Sequence, residues 1–173
     1  MISHLPSAQT IPSTLGGTTL FPGVYMCMTF CTLDGILILD AQNDPNAVFQ
    51  FITAGYLAVS PAAQVVLRNG AVSSKVYWTL GSYAAISAAS VVSGTIVAMS
   101  YISLVSCTLH GAALSLNAAV SLSGASVLLP ASLAVLTNIP SYNVPVALGA
   151  SSSFAVLAAS VSINSWSNAS TRT

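Results

Sequence analysis

Asp34, Asp40 and Asp44 are the only side-chain carboxylates in this chain of 173 residues, and there is no Glu. Paired carboxylates can trade protons with a substrate or divide the work of glycoside cleavage between them. Asp34 and Asp40 instead bracket an apolar strand, Gly35 to Leu39, which sets them at its two ends. Asp40, Asn43 and Asp44 could offer oxygens to calcium, but they lack the ligand spacing of an EF-hand loop. The run from Asp40 to Asn46 reads more simply as Asx and Pro turn chemistry. Cys27 and Cys31 have the look of half a metal site, yet no second pair matches them and both His residues, His4 and His110, lie far away in sequence. His110 precedes Gly111 and reads as a polar turn residue. No Ser stands in a Gly-x-Ser-x-Gly elbow. The residues therefore predict no catalytic centre, no cofactor and no metal, and a protein that is not an enzyme.

Charge is scarce throughout. Only Asp34, Asp40, Asp44, Arg68, Lys75 and Arg172 carry it, and the stretch from Val76 to Thr171 has none. An ordinary domain has about 25% charged residues, against 3% here. Three cations are too few to neutralise a nucleic-acid backbone or to hold an anionic membrane surface. The mean hydropathy of +0.83 raises the question of a bilayer span. The texture argues against one: Ser82, Ser87, Ser90, Ser93, Ser100, Ser103 and Ser106 recur through it, and short apolar runs are broken by Gly, Pro and Ser. Residues 1–14 show no basic segment followed by an apolar core, so the expected form is a mature chain or one exported by another route. Asn168-Ala169-Ser170 is a glycosylation sequon. Cys27, Cys31 and Cys107 read as three small buried hydrophobes, with a bridge to a neighbouring subunit as the alternative.

The elements that would position these residues are strands. Runs at 23–26, 35–40, 47–52, 64–67, 75–80 and 94–99 alternate with turn residues, and further runs follow at 101–104, 110–116 and 119–123. Ser93 to Ser100 is echoed by His110 to Leu116. A near-repeat of short strands and small residues predicts an all-β solenoid that stacks Val, Ile and Leu inside and sets Ser, Ala and Thr outside on flat sheets. No segment sustains a 3.6-residue period. The run 151–160 leads into alternating Val161-Ser162-Ile163 and reads as strand. Tyr77, Trp78, Tyr83 and Tyr101 read as core and inter-coil packing rather than as a carbohydrate platform.

Leu15-Gly16-Gly17-Thr18-Thr19-Leu20-Phe21-Pro22-Gly23-Val24-Tyr25 resembles the LGGLTLTPGVY stretch of the DUF3494 ice-binding-like proteins. Leu39-Asp40-Ala41-Gln42-Asn43-Asp44-Pro45-Asn46-Ala47-Val48-Phe49 resembles their LDAQGDPNAVFIFQ signature. Val65 to Ala71, Val76-Tyr77-Trp78 and the coils at Gly94 and Gly111 follow in the family's order, so the likeness spans roughly residues 15–128. It implies an irregular β-solenoid of triangular section. In the family a long helix lies along one side, and many members bind ice through a flat face. The family's opening strand, FAVLAGSTVTNTG-like, has its counterpart here near the C-terminus, at Leu148 to Asn164, and no segment matches the helix. The chain reads as permuted and shortened.

That arrangement divides the chain into a solenoid body at 1–129, a connector at 130–147 containing Pro130, Pro140 and Pro145, and a terminal strand segment at 148–173. The terminal segment, through Phe154, Val156, Leu157, Val161 and Ile163, would complete the solenoid in cis or in a neighbouring subunit. Donation between molecules that fails to close into a ring makes a fibre. The leading expectation is thus an extracellular filament or sheath built by self-assembly, a homo-oligomer or homopolymer. The alternative is a secreted antifreeze protein that meets ice through Ser93, Thr95, Ser103, Ser121 and Ser123; a third reading is a surface adhesin module.

Overall fold

The structure is a computed structural model that describes residues 7–129 and the strands Val156–Leu157 and Ser160–Ile163. The chain winds as a three-sided β-solenoid. Its first coil comprises β1 (Gln9–Ile11), the bridging residue Thr14 and β2 (Thr19–Leu20). The second holds β3 (Gly23–Cys27), β4 (Cys31–Leu33) and β5 (Ile36–Asp40), and the third β6 (Phe49–Thr53), β7 (Leu57–Val59) and β8 (Gln64–Arg68). A 3-10 turn, Ser73–Lys75, leads to β9 (Val76–Leu80), β10 (Ala84–Ile86) and the long β11 (Val91–Ala98). Then come β12 (Ile102–Val105), the long β13 (Thr108–Ser115), β14 (Ala119–Ser123) and β15 (Ser126–Leu128). Finally, β16 (Val156–Leu157) and β17 (Ser160–Ile163) lie on β13 and β14 of the same chain. Among the described residues there is no α-helix.

Every strand pairing is parallel, each coil on the one before it, so the backbone ladder runs along the solenoid axis. One face stacks β1, β3, β6, β9 and the ends of β11 and β13. The central face stacks β4, β7, β10, β12, β14 and β17. A third stacks β2, β5, β8, the starts of β11 and β13, and β15.

Strand alternation supplies the core. Leu33, Leu37, Leu39, Leu57, Ile96, Ile102 and Leu104 all point inward and are fully buried. Inside the first face Tyr25, Phe51 and Trp78 form a stack, with ring centroids 5.6 and 4.1 Å apart. The interior is mostly apolar, with Thr53, Ser90, Ser93 and Ser115 the buried polar residues, and no buried side-chain nitrogen or oxygen among the described residues lacks a partner. Trp78 donates its indole N–H to the Ser93 carbonyl at 3.0 Å.

Coil length changes midway. Tyr25, Phe51, Trp78, Ile96 and Ala113 hold equivalent places, at intervals of 26, 27, 18 and 17 residues. The long coils travel from third face to first through loops at 41–48 and 69–75. The short ones turn that corner within a single strand, at Gly94 (φ +117°) and Gly111. A Cβ on Gly94 would lie 2.6 Å from the Val76 carbonyl oxygen, and one on Gly111 would strike the Gly94 carbonyl. Only glycine lets successive backbones stack so closely at this corner.

Two cysteines depart from the expectation of three thiols. Cys27 and Cys31 form a disulfide, while Cys107 is free and buried. Cys27 is the last inward residue of β3 and Cys31 the first of β4, so the bond ties the two sides of one tight corner. Spacing suggested no pairing because the corner that folds the two sulfurs together is a tertiary feature. The five-residue loop it closes is short, and chain entropy limits its contribution to about 2 kcal/mol. Replacing both cysteines with alanine is expected to lower unfolding free energy by about that amount in a urea titration. No change would mean the corner is held by packing alone.

Candidate functional site

The loop at 40–46 is tied by side-chain hydrogen bonds. Asp40 accepts the Gln42 N–H at 2.8 Å and the Asn69 amide at 2.8 and 2.9 Å, and Asp44 accepts the Asn46 N–H at 2.8 Å. Lys75 donates to the Pro45 carbonyl at 2.6 Å. These bonds clamp one coil's corner loop to the next and leave the carboxylates engaged. Among the described residues no three His, Cys, Asp or Glu gather as metal ligands. His110 lies half-buried within β13, in register with Ser93 and Leu128, rather than in a turn.

The surface with a regular chemical pattern is the outside of the central face. Each of its strands reads buried, half-exposed, buried at the same three places, so one outward residue per coil lies on a line. Register makes that line Thr14, Thr32, Ala58, Ala85, Ser103 and Ser121, with Ser162 as the next position. Thr32 donates its hydroxyl toward Thr14 at 3.4 Å and the Ser13 carbonyl at 3.3 Å. Two residues further on is a second set, with Ser60 and Ser87 just past the ends of β7 and β10, and Val105 and Ser123 paired in register. Repeats of about 4.8 Å between coils and about 6.6 Å along strands make a grid of methyl and hydroxyl groups. No charged residue stands on the first line, and the second begins at the exposed Asp34. Arg68, Lys75, Asp40 and Asp44 lie at the opposite corner.

Of the residues expected to share a face, Ser103, Ser121 and Ser123 are together here. Thr95 stands on the first face, in register with Tyr77 and Ala112. Ser93 does not reach the surface: it is 4% exposed, within the buried run Val92-Ser93-Gly94 of β11. The terminal segment's Val156 and Leu157 pair with Ala113 and Leu114, and Val161 and Ile163 with Val120 and Leu122, all within one chain. Phe154 and the connector at 130–147 lie outside the described residues.

Bordering the grid is a row that sequence reading did not assemble. Phe30, Tyr56, Tyr83 and Tyr101 stack with centroids 5.2, 4.9 and 4.9 Å apart and ring planes within 10°. The motif aromatic–apolar–small–apolar, repeated as Phe30-Cys31-Thr32-Leu33, Tyr56-Leu57-Ala58-Val59, Tyr83-Ala84-Ala85-Ile86 and Tyr101-Ile102-Ser103-Leu104, was the available signal. The Tyr83 phenol is pushed above its usual pKa, first by desolvation and then by the adjacent Tyr101 and Tyr56 phenols. Trp78 is wholly interior, whereas Tyr77 and Tyr101 are exposed.

A family model described as ice-binding-like matches residues 3–128. The chain is 34% identical over 99 residues to an ice-binding protein of Nostoc sp. (strain HG1), covering 57% of this chain and 36% of that one. It is 36% identical over 94 residues to ice-binding protein 1 of Shewanella frigidimarina (strain NCIMB 400), covering 53% of this chain and 10% of that one. The aligned part is thus about a third and a tenth of the length of these relatives. A crystal structure of an ice binding protein from an Antarctic biological consortium superposes with a TM-score of 0.70 at 34% identity, covering 72% of this chain and 57% of that one.

Proposed function

The chain belongs to the ice-binding-like family, and on that premise we propose that it binds ice through the outer surface of its central face. One observation carries this reading: the in-register, uncharged line Thr14–Thr32–Ala58–Ala85–Ser103–Ser121 on a parallel sheet. Ice presents a planar lattice of water with no net charge. A surface meets it best when little hydration must be stripped from charged groups. Methyl groups add apolar area removed from liquid water, and hydroxyls at fixed spacing anchor ordered water that can merge with the lattice. The role is adsorption, with no catalytic step. The Cys27–Cys31 disulfide supports an oxidising, extracellular setting.

The test is adsorption of the fluorescently labelled full chain to a single-crystal ice hemisphere, with thermal hysteresis measured alongside. Stained ice planes and a freezing gap would support the reading, and an unstained hemisphere with no gap would refute it. A second reading, filament assembly by strand donation, draws on the scarcity of charge. Pairing of β16 with β13 and of β17 with β14 is the contact through which that segment would complete the solenoid, in cis or in a neighbouring subunit.

A further inference from the structure

We propose that the aromatic ladder Phe30–Tyr56–Tyr83–Tyr101 is the positioning element of the ice-contact surface, holding successive coils at one spacing and in one plane. The inference rests on the ice-contact reading above. Each ring stands immediately before the first inward residue of a central strand and two residues before a contact position: Thr32, Ala58, Ala85 or Ser103. The ring separations of 4.9 to 5.2 Å match the spacing of about 4.8 Å that backbone hydrogen bonds impose. Stacking and backbone therefore favour one common period rather than competing.

A strut is needed because the solenoid changes construction beneath this face. The earlier coils carry corner loops clamped through Asp40–Asn69 and Lys75–Pro45, whereas the later ones turn at Gly94 and Gly111. The interior stack ends at Trp78, and its next equivalents are Ile96 and Ala113. The outer ladder continues one rung further, and Tyr83 to Tyr101 crosses the change at an unaltered 4.9 Å. Ala58, Ala85 and Ser103 straddle that junction, so a tilt between coils there would break the plane at its middle. The inner rungs, Tyr56 and Tyr83, have both ring faces covered by neighbouring rungs. They offer only edges outward, which is unsuited to stacking a sugar ring and consistent with a positioning role.

The test compares Tyr83→Phe with Tyr83→Ala in the full chain, by thermal hysteresis at equal concentration near 0 °C. Tyr83→Phe keeps the stack and should stay within about twofold of the parent protein. Tyr83→Ala removes a rung and should lose at least about tenfold while its far-ultraviolet circular dichroism and cooperative melt still report a folded solenoid. Should Tyr83→Ala not fold, Tyr101→Ala, at the ladder's end, should show the same loss and the same rescue by phenylalanine. Full activity of the alanine variant would overturn the proposal. So would a phenylalanine variant as impaired as alanine, which would make the hydroxyl a contact instead of the ring a strut. If the parent protein does not bind ice, amide exchange at Ala58, Ala85 and Ser103 still decides the ladder's role. Faster exchange in Tyr83→Ala but not in Tyr83→Phe supports it, and unchanged exchange overturns it.

Discussion

Ala85→Tyr is expected to abolish ice adsorption and leave the fold intact. Ala85 stands mid-line, with Ala58 and Ser103 beside it in register, and its Cβ points outward from a strand whose neighbours Ala84 and Ile86 are buried. A phenol ring there rises above the methyl–hydroxyl grid and holds an ice plane away on both sides. Dispersion contacts forfeit about a quarter to a half of their well for each 0.5–1 Å of gap, so losing the whole strip should reduce thermal hysteresis about tenfold or more. Tyr suits a half-buried strand position, and the melting temperature should scarcely move. Thr95→Tyr is the control, because Thr95 faces outward on the first side of the solenoid. Equal loss from Thr95→Tyr, or full activity in Ala85→Tyr, would move the contact surface off the central face.

Trp78→Ala is expected to be among the most destabilising single changes in the described chain. The side chain is 0% exposed, lies 4.1 Å from the Phe51 ring at an interplanar angle of 11°, and bonds the Ser93 carbonyl. Truncating a buried Trp removes about 3–5 kcal/mol. The upper end applies here, since the buried Ser93 carbonyl also loses its donor. Trp78→Phe restores most of the ring but not the N–H, and should lose about 1–2 kcal/mol. Tyr77→Ala, next in sequence but 40% exposed, should change stability by less than about 1 kcal/mol. Urea titration of the three variants reads this order directly. A Trp78→Ala loss as small as that of Tyr77→Ala would show that the fourth coil does not depend on the interior stack.

The family's strings at Leu15–Tyr25 and Leu39–Phe49 announced the solenoid, and alternation within runs such as Val76-Tyr77-Trp78-Thr79-Leu80 announced which residues turn inward. Short strands without hairpin signals, β7 and β10 among them, were not picked out. Each has only three residues and gains its stability from the coils on either side. The sites were harder to read. Ser93 and Thr95 are two residues apart, the spacing of neighbours on one face of a regular strand. Gly94 lies between them at a positive φ and turns the chain, so one ends buried and the other emerges on a different side. Cys27 and Cys31 are separated by three residues in the chain and joined in space by a corner.

Sequence by itself determined the all-β solenoid, its apolar interior and its family, because those depend on local alternation, turn residues and long contiguous motifs. Only the tertiary structure decided which small and aromatic residues share a surface. Thr32, Ala58, Ala85, Ser103 and Ser121 recur at the uneven intervals of the coils, and Phe30, Tyr56, Tyr83 and Tyr101 follow the same unevenness. A grid or a ladder on such a chain is set by backbone register from one coil to the next, and with coils of unequal length that register is a property of the folded stack rather than of any fixed period in the chain.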